Sequence, residues 1–250
     1  MTLERRYRAI VEYDGTNFLG YQIQAKGRTV QGEIEQSLEK VTQSKIRIDG
    51  AGRTDAGVHA VGQVVAFNVI WRHLLRDLHR ALNATLPHDI VISNLEVVDL
   101  AFHPRFDALS RSYRYTIINQ PWPGVLQRRY AHHVRKELNL QLMREASQFL
   151  LGSHDFASFG KPPQGEKTVR HIIQAQWSVA DNCLIFDITA NAFLYRMVRT
   201  IVGTLIQVGL DQLTITDFED ILKARDVRRA APPAPAHGLC LVKVAYPEDI

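Results

Sequence analysis

Two hydrophobic periodicities succeed one another along this chain, and they do so in the same order twice. In the first half, residues 7–14 (YRAIVEYD) alternate and are rich in aromatic and β-branched types, which predicts a strand. Thr29 is placed to cap a helix that carries Val30, Ile34, Leu38 and Val41 on one face. KIRI at 45–48 reads as a short strand, the glycine-rich GAGRTDAGVHAVG follows, and QVVAFNV at 63–69 reads as another strand. Residues 71–86 set Leu74, Leu75, Leu78 and Leu82 at helical spacing and stop before Pro87, after which 90–98 alternate again. In the second half, SYRYTII (112–118) is a strand, and Asn139 to Leu151 is an amphipathic helix ended by Gly152. IIQAQWSV and CLIFDITA flank Asp181-Asn182, a hairpin signal. An apolar helix with two arginines covers 193–208, Thr216-Asp217-Phe218-Glu219 is a capping box, and LCLVKVAY (239–246) closes as a strand.

Each half therefore reads β-α-β-β-α-β, the order of the ferredoxin-like split unit that RNA-recognition modules also use. The expected fold is α+β: two ferredoxin-like halves, residues 1–105 and 106–250, with an active-site cleft between them. The repeat lies in the order of elements, without visible sequence identity, and topology by itself leaves function open. With 250 residues, 46% of them hydrophobic, the chain can bury the core that two such halves need.

Charge narrows the partners. The net charge is +4, and residues 101–150 hold eight Lys/Arg against three acids, which favours a polyanion without deciding for one. No run of about eighteen apolar residues occurs and the N-terminus has no apolar signal core, so neither a membrane span nor a secretory signal is expected. Cys183 and Cys240, far apart and outside any CxxC, argue against a disulfide scaffold or a zinc site and fit the cytoplasm.

The chemistry concentrates in GAGRTDAGVHA (50–60), where Gly50, Gly52 and Gly57 let the backbone turn tightly around Arg53-Thr54-Asp55. Taken alone, Asp55 could simply bond its own backbone in a turn. A phosphate-binding P-loop is excluded, since no GK[ST] follows and no helix opens there. Further stretches stand around this one in order: EYDGTNFLGYQ (12–22), FHPRFDA (102–108), SRSYRY (110–115), LLGSHDFASF (150–159), NAFLYRMVRTIVG (191–203) and APPAPAHGLCLVKVAY (231–246).

Together these segments closely resemble the tRNA pseudouridine synthase A family (pseudouridine synthase I), over nearly the whole chain. The resemblance implies a pseudouridine synthase fold that isomerises uridine to pseudouridine at positions 38, 39 and 40 of the tRNA anticodon stem and loop. Nothing is added or lost in that isomerisation, so no cofactor or metal is implied. It further implies Asp55 as nucleophile, Arg53 as the residue that helps extrude the base, and Tyr113 as the ring that stacks on the uracil. Tyr113 and Tyr115 share a strand face, and the resemblance alone selects Tyr113. A carboxylate in a cleft calls for a cation. Arg199 and Arg196, three residues apart in an apolar helix, both qualify on spacing, and the resemblance favours Arg199.

RNA contacts are expected from Phe102, His103, Pro104, Arg105 and Phe106, with Arg105 on a phosphate or a base, and from the loop Gln164, Gly165, Glu166, Lys167 and Thr168. The family also implies a homodimer in which each tRNA touches both subunits. His59 is expected to be structural. Tyr21 and Cys240 depart from the family, which often has tryptophan and another aromatic there. The alternatives are a non-catalytic RNA-binding protein on the same fold, and an aspartate hydrolase pairing Asp55 with His59. The first has no use for a carboxylate facing phosphate, and the second lacks a second catalytic carboxylate or a Ser–His pattern.

Overall fold

The alternating segments of the first half form one antiparallel sheet. The structure, a computed structural model, describes residues 4–162 and 165–247, and these fall into two units: 4–109 together with 241–247, and 110–240.

In the first unit, β1 (Arg5–Tyr13) turns Tyr7, Ala9, Val11 and Tyr13 into the core, the period of two that its sequence carries. α1 (Val30–Thr42) opens at Thr29, whose hydroxyl accepts the Gly32 N–H at 3.3 Å, and buries Val30, Ile34 and Leu38. Next come β2 (Asp49–Gly50), β3 (His59–Val69), α2 (Leu75–Thr85) and β4 (Ile90–Val98). β1 lies between β3 and β4, antiparallel to both, with Tyr13 opposite Ala60 on one side and Ile90 on the other. β2 pairs antiparallel with β3, so the order is β4-β1-β3-β2, that of the split unit. Residues 241–245, in the chain's last strand, group with this unit.

In the second unit, β5 (Ser110–Ile118) carries the short parallel β6 (His132–His133) at one end. α3 (Leu140–Gln148), β7 (Gly152–Asp155), β8 (Val169–Ala180) and β9 (Cys183–Ala190) follow, and the strands order β5-β9-β8-β7. Asp181 and Asn182, at φ 49° and 61°, make the expected tight hairpin between β8 and β9. α4 (Met197–Gly209) is buried on nearly every side, and α5 (Ile215–Ala224) buries Phe218, Ile221 and Leu222. The chain's last strand is β10 (Leu239–Ala245).

Four expectations shift. KIRI at 45–48 is not a strand: Lys45 and Arg47 face solvent, and only Asp49 and Gly50 find ladder partners. Alternation reports a half-buried surface, which an extended segment can also provide. α3 stops at Gln148, and Gly152, at φ +90°, opens β7 instead of ending the helix. The capping box of α5 is Thr214 with Asp217, two residues before the expected pair; both fit the pattern and the helix takes the earlier. α4 begins at Met197, not 193. Among the described residues no helix is long and apolar enough to cross a membrane.

Candidate active site

The Asp55 loop is built from its anchors inward. At its start Ala51 N–H donates to Val64 C=O at 2.8 Å, and the buried Gln63 side chain donates to Gly52 C=O at 3.0 Å. Thr54 is buried, its hydroxyl 2.8 Å from that of Tyr13 and its carbonyl accepting the Tyr21 N–H at 3.1 Å. Val58 N–H donates to Asp55 C=O at 3.1 Å, closing a turn that Gly57 passes at φ +79°, where a side chain would be strained. Asp55 stands half-buried at the head of this turn, and Arg53 is exposed two residues before it.

The EYDGT segment meets the far end of the loop. Gly15 N–H donates to His59 Nδ1 at 3.0 Å, and a Cβ on Gly15 would lie 2.0 Å from the Val58 carbonyl oxygen. Asp14 in turn accepts from the Thr16 N–H at 3.0 Å. His59 is buried in this junction, its Nδ1 accepting the Gly15 N–H. Tyr21, where the family often has tryptophan, is buried, its ring so close beneath Gly50 that a Cβ there would clash. Burial drives its hydroxyl pKa well up, with Tyr13, Glu35 and Asp49 adding to the effect.

In the second unit, β5 separates its two tyrosines from Arg114. Arg114 lies across from Asp187 on β9 and holds it with two bonds, 2.8 and 3.0 Å. Tyr115 is completely buried, donates to Pro235 C=O at 2.8 Å, and has its pKa pushed up by burial against the lowering effect of the Arg199 charge. Tyr113 is half-buried, its ring edge-on to Phe193 at 5.1 Å. Of the two tyrosines, Tyr115 is fully buried and Tyr113 only partly so.

Arg199 sits in the first turn of α4 and donates through Nε to Ala234 C=O at 2.7 Å, while Ala234 N–H returns a bond to Arg199 C=O at 2.9 Å. The extended 231–234 segment is fastened beside it: Ala231 N–H donates to Thr204 Oγ1 at 3.2 Å, and the Pro232 carbonyl presses on Gly203, where a Cβ would come within 2.2 Å. With Nε committed to the backbone, the guanidinium is held by its stem. Arg196 does not share its helix face: it is the left-handed cap at φ 62°, outside α4, exposed and stacked on Tyr195 at 4.9 Å.

The expected RNA-contact segments divide. Phe102 and Pro104 are anchors: the Phe102 carbonyl accepts from Arg6 at 2.5 Å, and the buried Pro104 carbonyl accepts from Tyr246 at 2.7 Å. Phe106 is 74% exposed, 4.3 Å from the His103 ring and beneath Arg105 at 5.6 Å, so His103, Arg105 and Phe106 form the outward part. In the second loop Gly165, Glu166 and Lys167 are exposed and Thr168 is half-buried; Gln164 lies outside the described residues.

The residues that sequence reading passed over are those that hold the others. Tyr13 and Thr54 bond to each other, the 231–234 segment bonds to Arg199 and Thr204, and the glycines at 20 and 203, standing where a Cβ has no room, border Thr54 and Pro232.

A family described as "tRNA pseudouridine synthase" matches residues 9–107 and 146–247. The protein named tRNA pseudouridine synthase A from Thermotoga neapolitana is 44% identical over 244 residues, covering 97% of this chain and all of the relative. Its namesake from Bacillus subtilis is 41% identical over 244 residues, covering 96% of this chain and 99% of the relative. Among solved structures, an archaeal box H/ACA complex of Nop10 and Cbf5 aligns with a TM-score of 0.36 at 11% identity, over 89% of this chain and 59% of that one.

Proposed function

Since the chain belongs to the tRNA pseudouridine synthase family, we propose that it isomerises uridine to pseudouridine at positions 38, 39 and 40 of tRNA, with Asp55 as the nucleophile. The N1–C1′ bond of the nucleotide breaks, the base turns, and C5 bonds to C1′; the C5 proton leaves and N1 gains one. Atoms balance without an oxidant, reductant or group donor. The observation that carries the reading is the RTDAG loop, which presents a half-buried carboxylate at the head of a turn whose backbone is tied down on both sides. A carboxylate so held is available to a base that has left its stack, and a flipped base needs an aromatic face and edge contacts.

The remaining roles follow the family. Tyr113, half-buried and edge-on to Phe193, stacks on the uracil and handles the C5 proton. Arg199, its stem pinned to Ala234, is the cation for the Asp55 carboxylate. Arg53, exposed beside the turn, fills the space the base vacates. The reading asks residues of both units to serve one uridine. His103, Arg105, Phe106 and the 164–168 loop contact the anticodon arm, and the enzyme works as a cytoplasmic homodimer.

The test is release of tritium from tRNA labelled at uracil C5. Wild-type protein is expected to release it and Asp55→Ala to release none while still binding tRNA. Equal release by both would refute Asp55's role, and binding without release by either would favour the non-catalytic RNA-binding reading.

A further inference from the structure

We infer that Tyr13 is a positioning residue for the Asp55 loop and acts through Thr54, an inference that rests on the reading of Asp55 as nucleophile. Thr54 directly precedes Asp55, so the direction in which the carboxylate points follows from where the Thr54 peptide lies. That peptide is held from two sides. Its carbonyl accepts the Tyr21 N–H at 3.1 Å, and Gly20, at φ +101°, packs so closely that a Cβ would lie 2.8 Å from the same oxygen. Its side chain is held by Tyr13: the two hydroxyls are 2.8 Å apart and both residues are buried.

Backbone bonds of this kind persist in any sequence that adopts the fold. The hydroxyl pair is the contact here that a substitution can remove while leaving both backbones in place. Tyr13 is the last residue of β1, paired with Ala60 on one side and Ile90 on the other, so its backbone is held between two neighbouring strands. The link therefore runs from the sheet through a buried hydroxyl to the residue before the nucleophile, and it passes the rigidity of the sheet to a loop that glycines would otherwise leave loose. Downstream, the Val58-to-Asp55 bond holds the other side of the turn, so Asp55 is aimed by a fixed peptide before it and a closed turn after it. Losing the Tyr13 hydroxyl takes away the partner of a buried Thr54 oxygen, and the loop then relaxes toward whatever satisfies it.

The test uses the full-length protein with Tyr13→Phe, Thr54→Val, Thr54→Ser and the Tyr13→Phe/Thr54→Val double variant. Single-turnover tritium release, tRNA affinity and thermal unfolding are measured for each. Tyr13→Phe and Thr54→Val are each expected to slow turnover about 10–100-fold, the scale on which a misplacement of roughly 1 Å acts. tRNA affinity stays within about twofold, the double variant falls no further than either single one, and Thr54→Ser, which keeps the hydroxyl, restores most of the rate. A merely structural role predicts the opposite pattern, with losses that multiply and that follow unfolding temperature. Tyr13→Phe turning over at the wild-type rate, or Thr54→Ser as slow as Thr54→Val, overturns the inference. If Tyr13→Phe does not fold, the two Thr54 variants decide alone. Asp55→Ala separates the two levels: turnover by that variant sinks the underlying reading, whereas an inactive Asp55→Ala beside a fully active Tyr13→Phe sinks only the role of Tyr13.

Discussion

Replacing Gly203 by alanine sets two effects of opposite sign against each other within one helix turn. In an ordinary helix interior the change is worth about 1 kcal/mol of added stability, because glycine is the poorer helix former. Here the new Cβ would lie 2.2 Å from the Pro232 carbonyl oxygen and 3.3 Å from Ala234 N, both backbone atoms, so the 231–234 segment must withdraw by about 1 Å. Overpacking of that kind costs about 1–3 kcal/mol. The withdrawal also weakens the Ala231–Thr204 bond and the paired bonds between Ala234 and Arg199, each worth about 0.5–1.5 kcal/mol. The balance is a net destabilisation of about 2–4 kcal/mol, or a fall in Tm of roughly 5–15 °C for a chain of this size. Because the displaced segment is what holds the Arg199 stem, turnover at 25 °C should fall as well, in protein that is still folded. Thermal unfolding followed by circular dichroism, beside tritium release, reads both. A Gly203→Ala protein as stable as the wild type, or more stable, would refute the reasoning, since helix propensity would then have outweighed the clash.

Two further outcomes are expected. Tyr113→Phe keeps the ring and its edge-on contact with Phe193, so tRNA should still bind with nearly unchanged affinity while turnover is lost; full tritium release by this variant would remove Tyr113 from the chemistry. His132 offers a pH dependence. Burial first, and then the charges of His237 and His133, lower its pKa from 6.5 to about 4. The unfolded chain therefore takes up a proton that the folded chain refuses, so stability is full above pH 6.5 and declines as pH falls toward 4. A fully buried group would contribute about 3 kcal/mol over that window, and solvent screening at this half-buried ring reduces it to about 1 kcal/mol. His132→Gln should flatten the decline measured by denaturant unfolding between these pH values, and an unchanged slope would count against it.

Most elements were legible because each is decided over a few neighbouring residues. Thr29 before Val30, Ile34 and Leu38 names the start and the buried face of α1, and Asp181-Asn182 between two alternating runs names a hairpin. The failures share a cause: they sit where two local signals compete and a distant contact arbitrates. KIRI alternates as a strand does, but β3 pairs with Asp49 and Gly50 next to it. Arg196 and Arg199 have helical spacing, yet the chain enters α4 through a left-handed residue at 196, so the two side chains leave on different paths. Spacing could not tell them apart; the structure sets them in different places, with Arg199 bonded to Ala234, thirty-five residues away.

For the site, the same distinction separates groups that react from groups that aim them. On the proposed reading Asp55, Tyr113 and Arg53 are fixed in residue type by chemistry, and the motifs that hold them can be read along the chain. Thr54 reads as filler between an arginine and an aspartate, and Tyr13 as one more alternating strand residue; the relation between them is forty-one residues long and consists of a single hydroxyl pair. Glycine can record such relations locally, where another part of the chain has taken the room of a side chain. Gly15 against Val58, Gly20 against Thr54 and Gly203 against Pro232 are three such records, and each borders a group assigned a role here. A glycine within a recognised motif is thus better read as a question about which backbone presses on it than as a sign of looseness. At these three positions the answer leads to the residues that hold Asp55 and Arg199 in place.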